Sequence, residues 1–385
     1  MKIVEVETHL ISIPTTVPMG WSPGVTTSSS AVIVKIMTDD GIIGLGECVG
    51  PSIHTIKTIV DKELRDFLIG EDPFKIEFLD HKMANAVHWY KVANYAVAGI
   101  EMALLDIKGK ALDTPLANLL GGIYRDEAEF DGYLFIESPE VNAKQAAGFV
   151  QEHGFKQLKM KVGHNVDEDT RRLAAVRDAV GDDIKIRVDV NQEWSPSTAI
   201  KAINRMAEFD LQFVEQPTLY WDLEGMAHVQ RSVDVPIAAH ESCMTPLDAI
   251  KCVEHDCCEI FIVDTSDSGG VLKAKQIVDI ANAAGKWCVL GTWIENGIAS
   301  AANLHLIASS RNFPFANDTP FLLKSDDIIR EEFKVVEGKV SVPTAPGLGV
   351  TLDEEKIEKY EQDAAEISRF GEKSLSQIPQ YGKIL

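Results

Sequence analysis

The chain is poor in several things, and each shortage removes a class of function. Its 385 residues include 6 cysteines, none of them in a Cys-x-x-Cys pair, so neither a zinc ribbon nor a dithiol redox centre is expected. Scattered thiols with one adjacent pair, Cys257-Cys258, read as reduced and buried in a cytoplasmic protein. No apolar run approaches the ~20 residues that cross a bilayer. The opening Met1-Lys2-Ile3-Val4-Glu5-Val6-Glu7 has no apolar core of a secretion signal and reads as a strand. Basic residues are outnumbered, 37 Lys and Arg against 59 Asp and Glu, for a net charge of −22. Such a surface repels phosphate backbones and anionic lipid, so no nucleic-acid and no membrane partner is expected. Carboxylates gathered locally would attract a cation instead. What remains, 45% hydrophobic and 25% charged residues, is an ordinary globular balance with room for two domains.

Two textures follow one another. Ala31–Ile36 and Ile42–Glu47 flank Asp39-Asp40-Gly41, a turn sequence between strand-like runs, and predict a hairpin. A loop rich in Pro, Gly, Ser and Thr is expected between Ile13 and Ser30, with Trp21 exposed in its middle. Helical patterns cover about 54–67, 73–83 and 90–111, the last with small and apolar residues on most faces. From about Phe130, strand and helix patterns alternate. Strands are expected at 130–136, 157–162, 184–190, 211–215, 235–240, 259–264 and 286–291, with a weaker one at 314–317. That alternation predicts a parallel α/β barrel. The reading divides the chain at 1–125, 126–325 and 326–385, with the last segment packing back on the first.

Charged residues stand where the strands end. In Leu158-Lys159-Met160-Lys161-Val162, period-2 alternation puts both lysines on one face, inward at the C-terminal mouth of a barrel. Asp189 and Asn191 end the next strand, then Glu215, Glu241 and Asp264 end three more. The steps 215 − 189 = 26, 241 − 215 = 26 and 264 − 241 = 23 are each one strand-helix unit. Adjacent staves lie about 4.8 Å apart, so the acids at 189, 215 and 241 are expected to converge. Unneutralised, that is unfavourable; around a hard divalent cation it becomes a site, and all-oxygen donors favour Mg²⁺. Lys161 is the candidate base, its pKa expected to fall through burial, Lys159 and the cation.

These residues resemble the enolase superfamily, in particular the mandelate racemase and muconate lactonizing enzyme family. The resemblance rests on Lys159-Met160-Lys161, Asp189-Val190-Asn191, Glu215-Gln216-Pro217, Ala239-His240-Glu241-Ser242 and Asp264 before Gly269-Gly270. Gly44-Leu45-Gly46-Glu47 and Ala98-Gly99-Ile100-Glu101-Met102-Ala103-Leu104-Leu105-Asp106 extend it outside the barrel. It implies a modified (β/α)7β TIM barrel under an α+β capping domain built from both termini. It further implies Mg²⁺ on Asp189, Glu215 and Glu241, Lys161 as base assisted by Lys159, capping loops near Trp21 and Pro51–His54, and a homo-oligomer. Two departures stand out. Muconate-type members carry Asp where His240 stands, whereas racemase-type members carry Gly-Glu, which makes Glu241 the ligand; the spacing favours Glu241, with His240 the alternative. Racemase-type members also pair an Asp at the 264 position with a His one strand later, and here Gly291 takes the His position.

The sequence therefore predicts an enzyme that removes the α-proton of a small hydroxy or amino acid. One strong base favours dehydration or cycloisomerisation, with racemisation or epimerisation as the alternative and a non-catalytic acid-binding barrel behind them. Asp264 is read either as catalytic or as a salt-bridge partner of a lysine. Trp21, Tyr133, Asn191, Trp293 and Glu295 are the candidate substrate contacts. A weaker alternative has Ser268-Gly269-Gly270 cradling a phosphate.

Overall fold

A computed structural model describes residues 1–22, 24–87 and 92–364. Three antiparallel strands open the chain, β1 (Ile3–Trp21), β2 (Gly24–Thr38) and β3 (Ile43–Val49). The expected loop around Trp21 is instead the far half of a long hairpin, with Trp21 paired to Gly24 and a register shift between Pro14 and Met19. The β-branched Val25, Thr26, Thr27 and Val32–Val34 favour pairing along β2, a signal that the nearby Pro and Gly content obscured.

The helix Val92–Ala111 lies on this sheet, burying Ile100, Leu104 and Ile107. Each such side chain contributes about 1.5–3 kcal/mol on leaving water. Gly44 and Gly46 make the approach close: a Cβ on Gly46 would stand 1.8 Å from the Gly99 carbonyl oxygen. No residue but glycine fits there.

After β4 (Glu127–Glu129) come seven parallel strands: β5 (Gly132–Leu134), β6 (Gln157–Lys161), β7 (Lys185–Asp189), β8 (Leu211–Glu215), β9 (Ile237–Ala239), β10 (Ile260–Val263) and β11 (Trp287–Leu290). They neighbour one another in chain order. The weak eighth strand at 314–317 is not regular, yet it closes the ring. Asp131 N donates to Asn317 O (3.0 Å) and Asp318 N donates to Leu290 O (3.0 Å), so this segment bridges the two edge staves. The fold is thus a modified (β/α)7β barrel. Inside it, Phe213, Ala238, Ile260, Ile262 and Val289 form their own cluster. The alternate residues, among them Val214, Ile237, Ala239, Phe261 and Val263, join the core shared with the helices.

The 326–364 segment divides its contacts. β12 (Lys339–Ser341) pairs with β4 beneath the barrel. Leu116 N then donates to Gly347 O (2.8 Å), and the helix Glu354–Ala364 returns to β1. Two carboxylates from the opening segments seal it to the barrel. Glu47 accepts from Asn296 N (2.7 Å) and Ala299 N (2.9 Å), capping the helix Gly297–Ala308. Glu101 accepts from Val271 N (2.9 Å) and Leu272 N (3.0 Å), capping the helix Val271–Ala283. Among the described residues, no helix is long and apolar enough to cross a membrane.

Candidate active site

Register brings the predicted residues to one end of the barrel. Lys161 pairs in register with Asp189 and Asp189 with Glu215 on consecutive staves. The Lys161 ammonium lies 2.6 Å from Asp189 Oδ2 and 2.7 Å from Asn191 Oδ1. Lys159 sits deeper, 2.8 Å from Glu215 Oε2, 3.1 Å from Asp189 Oδ2 and 2.7 Å from Asp318 Oδ2. Burial works to lower the Lys161 pKa, as the sequence suggested, but Asp189 outweighs it and the group stands above its usual value. Burial likewise opposes the Lys159 charge, and Asp189, Asp318 and Glu215 hold it well above the ordinary range. Asp189 shows the converse: burial would raise its carboxyl, yet the two lysines drive it far down.

The three acids do not meet at one point. Among the described residues, no three His, Cys, Asp or Glu side chains gather at ligand distance; the Lys159 ammonium stands between Asp189 and Glu215. Glu241 turns to the loop after β7, accepting from Gln192 Nε2 (3.0 Å) and Asn191 Nδ2 (3.5 Å). Its Oε2 is buried without a hydrogen bond. His240 Nδ1 lies 3.0 Å from Glu215 Oε1, and Nε2 lies 3.7 Å from Asp267 Oδ2. Burial opposes its charge, but the Glu215 hydrogen bond and the surrounding carboxylates push the imidazole up to about 10.

Across the mouth, Asp264 makes no salt bridge to either lysine. Its Oδ1 caps the short helix Thr265–Ser268, accepting from Ser266 N (2.7 Å) and Asp267 N (3.2 Å). Its Oδ2 is buried and unpaired. Burial, then Asp267 and Glu295, raise its carboxyl well above the usual range.

The remaining candidates separate into two groups. Trp21 and Tyr133 lie beside the lysines, with the Lys161 ammonium 6.0 Å and 5.5 Å from their ring centroids. Tyr133 also packs with Met19, Phe135, Leu323 and Ile294. The hairpin tip is held on the mouth by Ser22, whose hydroxyl donates to Val162 O (2.8 Å). Glu295 and Trp293 instead close their own loop: Glu295 accepts from Thr292 Oγ1 (2.5 Å) and Trp293 N (2.7 Å). Trp293 Nε1 donates to Asp267 Oδ1 (3.0 Å). His54 is exposed at the start of the helix Ile53–Thr58. The phosphate alternative finds no support, because the amides of Ser268, Gly269 and Gly270 already donate to Asp264 O, Ser266 O and Thr265 O.

Sequence reading missed a buried ionic chain under the site. Arg187 reaches Asp131 Oδ2 and Asp318 Oδ1, each at 2.6 Å, and Asp318 in turn holds Lys159. Asp318 escaped notice because the segment before it carries no regular strand pattern. Asp267, which touches Trp293, sits one helical turn past Asp264, and only the capping turn at Asp264 hints at its direction.

Comparison with known proteins follows the same lines. Residues 4–121 match the family model of the mandelate racemase / muconate lactonizing enzyme N-terminal domain, and residues 142–356 match the enolase C-terminal domain-like family. An N-succinyl-L-Arg/Lys racemase of Bacillus cereus is 32% identical over 93% of this chain and 98% of its own. Its crystal structure superposes with a TM-score of 0.90 at 31% identity, covering 94% of this chain and 98% of that one. A dipeptide epimerase of Enterococcus faecalis, crystallised with Mg and L-Leu-L-Tyr, gives 0.87 at 31% identity, covering 91% and 100%. Muconate cycloisomerase 1 of Rhodococcus opacus is 29% identical over 94% of this chain and 98% of its own. With its capped barrel and its Lys-x-Lys stave facing Asp189, this chain belongs to the mandelate racemase/muconate lactonizing enzyme family of the enolase superfamily and is an enzyme of that type.

Proposed function

We propose that Lys161 moves the α-proton of a small carboxylic acid in a site completed by a divalent cation: it abstracts the proton to give an enediolate that expels a β-substituent, or, in the cycloisomerase direction, it protonates the enediolate that ring closure has formed. One observation carries this reading: an inward Lys161 held by Asp189 and Asn191 faces a barrel end whose opposite acid, Asp264, has a buried oxygen without a hydrogen bond. The residues present fit a divalent cation. Asp189 and Glu215 are buried carboxylates on neighbouring staves, and His240 and Glu241 each offer a further donor. With Glu241 the donor set is all oxygen, which suits Mg²⁺. When bound, the cation would stabilise the developing enediolate and weaken the hold of Asp189 on the Lys161 ammonium.

The chain's own groups divide the remaining work. Lys161 takes the proton. Lys159, fixed by Glu215 and Asp318, stays charged and adds positive potential beneath it. Asp264 gives its proton to the leaving group. Asn191 orients Lys161, while Trp21 and Tyr133 wall the substrate on that side and favour weakly hydroxylated acids, N-substituted amino acids included. Trp293 and Glu295 shape the pocket from the far loop. The same reading takes the enzyme as a cytoplasmic homo-oligomer, consistent with six unpaired, buried cysteines.

Racemisation or epimerisation is the second reading, favoured by the activities of the racemase and epimerase relatives; Asp264 would then return a proton to the opposite face. Incubating hydroxy acids, amino acids and N-acyl amino acids in D₂O and identifying the product by NMR separates the two. An unsaturated or cyclic product supports the first reading, and an inverted, α-deuterated acid supports the second. Binding without exchange of any acid would contradict both.

A further inference from the structure

We propose that His240, through Nδ1, is the third ligand of the cation site, and that this chain consequently favours a borderline ion such as Mn²⁺ over Mg²⁺. The inference rests on the cation-assisted reading above. Alternation along the staves carries it. Phe213, Ala238, Ile260, Ile262 and Val289 point into the barrel, and counting in twos from them reaches Glu215, His240, Asp264 and Gly291. Glu241 falls in phase with Ile237 and Ala239, which face the helices. On β9 the inward station at the mouth therefore belongs to His240.

Its contacts agree with its phase. Nδ1 lies 3.0 Å from Glu215 Oε1, and Glu215 shares the Lys159 ammonium with Asp189, so Glu215 has the imidazole on one side and the Asp189 carboxylate, across a lysine, on the other. In imidazole, Nδ1 is two bonds from Cβ, the same reach as a carboxylate oxygen of the Asp that muconate-type members carry at this station. Glu241 is meanwhile tethered to Gln192 and Asn191. The ring also needs the space it has. A Cβ on Gly291 would come within 3.2 Å of His240 Nε2 and 3.0 Å of Ile262 Cγ2, so glycine on β11 leaves room for the imidazole of β9.

The donor set decides the metal. Mg²⁺ binds oxygen almost exclusively, whereas Mn²⁺ and later divalent ions accept imidazole nitrogen. Replacing a carboxylate by a neutral ring also removes one negative charge, which costs a hard ion most.

The test reads the metal itself. Chelator-stripped full-length protein is loaded with Mn²⁺ and studied by pulsed electron paramagnetic resonance, with Mn²⁺ and Mg²⁺ affinities measured by calorimetry. Wild type is expected to show the nitrogen modulation of a directly bound imidazole. His240→Asp is expected to lose it and to shift the Mg²⁺/Mn²⁺ affinity ratio towards Mg²⁺ by about tenfold or more, the scale on which ligand surroundings act. Glu241→Gln is expected to keep the modulation, and Gly291→Ala to weaken Mn²⁺ binding. A wild-type spectrum without nitrogen coupling, together with lost binding in Glu241→Gln, would overturn the assignment in favour of Glu241. Failure of wild type to bind either ion would overturn the cation-assisted reading beneath it.

Discussion

At the scale of single residues, the site is a balance of buried charges. Lys159, Lys161 and Arg187 are matched by Asp189, Glu215, Asp318 and Asp131 with little access to water. Removing one member of such a set typically costs about 3–5 kcal/mol, so variants here must keep shape. Asp264→Asn does: asparagine caps a helix as well as aspartate, and burial already disfavours the charged form of the native carboxyl. We expect Asp264→Asn to unfold within about 1 kcal/mol of wild type in urea, to keep α-deuterium exchange, and to lose product formation. Loss of exchange as well would remove Lys161 from its place as sole base. Most of these residues were legible in the sequence, because period-2 alternation and one-unit spacing locate inward strand ends. The direction of the Lys161 shift was not legible. It depends on a 2.6 Å contact with Asp189, and spacing alone carries no distance.

At the scale of elements, the seven staves were readable because short apolar or alternating runs recur between amphipathic helices. The closing segment at 317–318 was harder, since single hydrogen bonds rather than a ladder hold it. The far half of the β1–β2 hairpin reads as a loop in sequence because proline, glycine, serine and threonine dominate it. The Gly44-Leu45-Gly46-Glu47 and Ala98–Asp106 motifs are explained by docking: glycine permits contact, and the glutamates cap barrel helices. Burial, opposed chiefly by Lys324 for Glu47 and by the amides of Leu272 and Val271 for Glu101, raises each carboxyl to about 7. Glu47→Ala would strand the buried amides of Asn296 and Ala299, at about 1–3 kcal/mol for each unsatisfied group. Ser138→Ala, at the exposed cap of the helix Pro139–His153, should cost about 1 kcal/mol. Urea unfolding of the two variants checks the ranking, and equal costs would mean that Glu47 does not seal the junction.

At the scale of the whole molecule, His305 ties three segments together. It is buried in the helix Gly297–Ala308, accepts from Ala117 N at 3.3 Å and meets Leu348 O at 3.2 Å. Burial, only partly offset by Leu348 O, lowers its pKa to about 4 from the usual 6.5. A depressed folded pKa means that the unfolded chain takes up the proton first. The contribution is complete above pH 6.5 and disappears as pH falls through about 4, worth on the order of 3 kcal/mol. Glu47 and Glu101 act with the opposite sign, their raised pKa values losing stability as pH climbs from 4.5 to about 7. The His305 contribution is therefore read as the difference between wild type and His305→Gln, which should shrink from pH 7 to pH 4. A pH-independent difference would contradict it. The cation acts globally too: at a hundredfold over its Kd it should stabilise wild type by about 2.7 kcal/mol, and Asp189→Asn much less.

The central claim is that Lys161 and a divalent cation together acidify and remove an α-proton. The most direct test is α-hydrogen exchange in D₂O, followed by NMR on the best-bound acid, for wild type and Lys161→Gln with and without divalent ion. We expect exchange only when both are present, with Lys161→Gln slower by about 10²–10⁴-fold while still binding the acid. Exchange that persists in Lys161→Gln, or that ignores removal of the ion, would contradict the account.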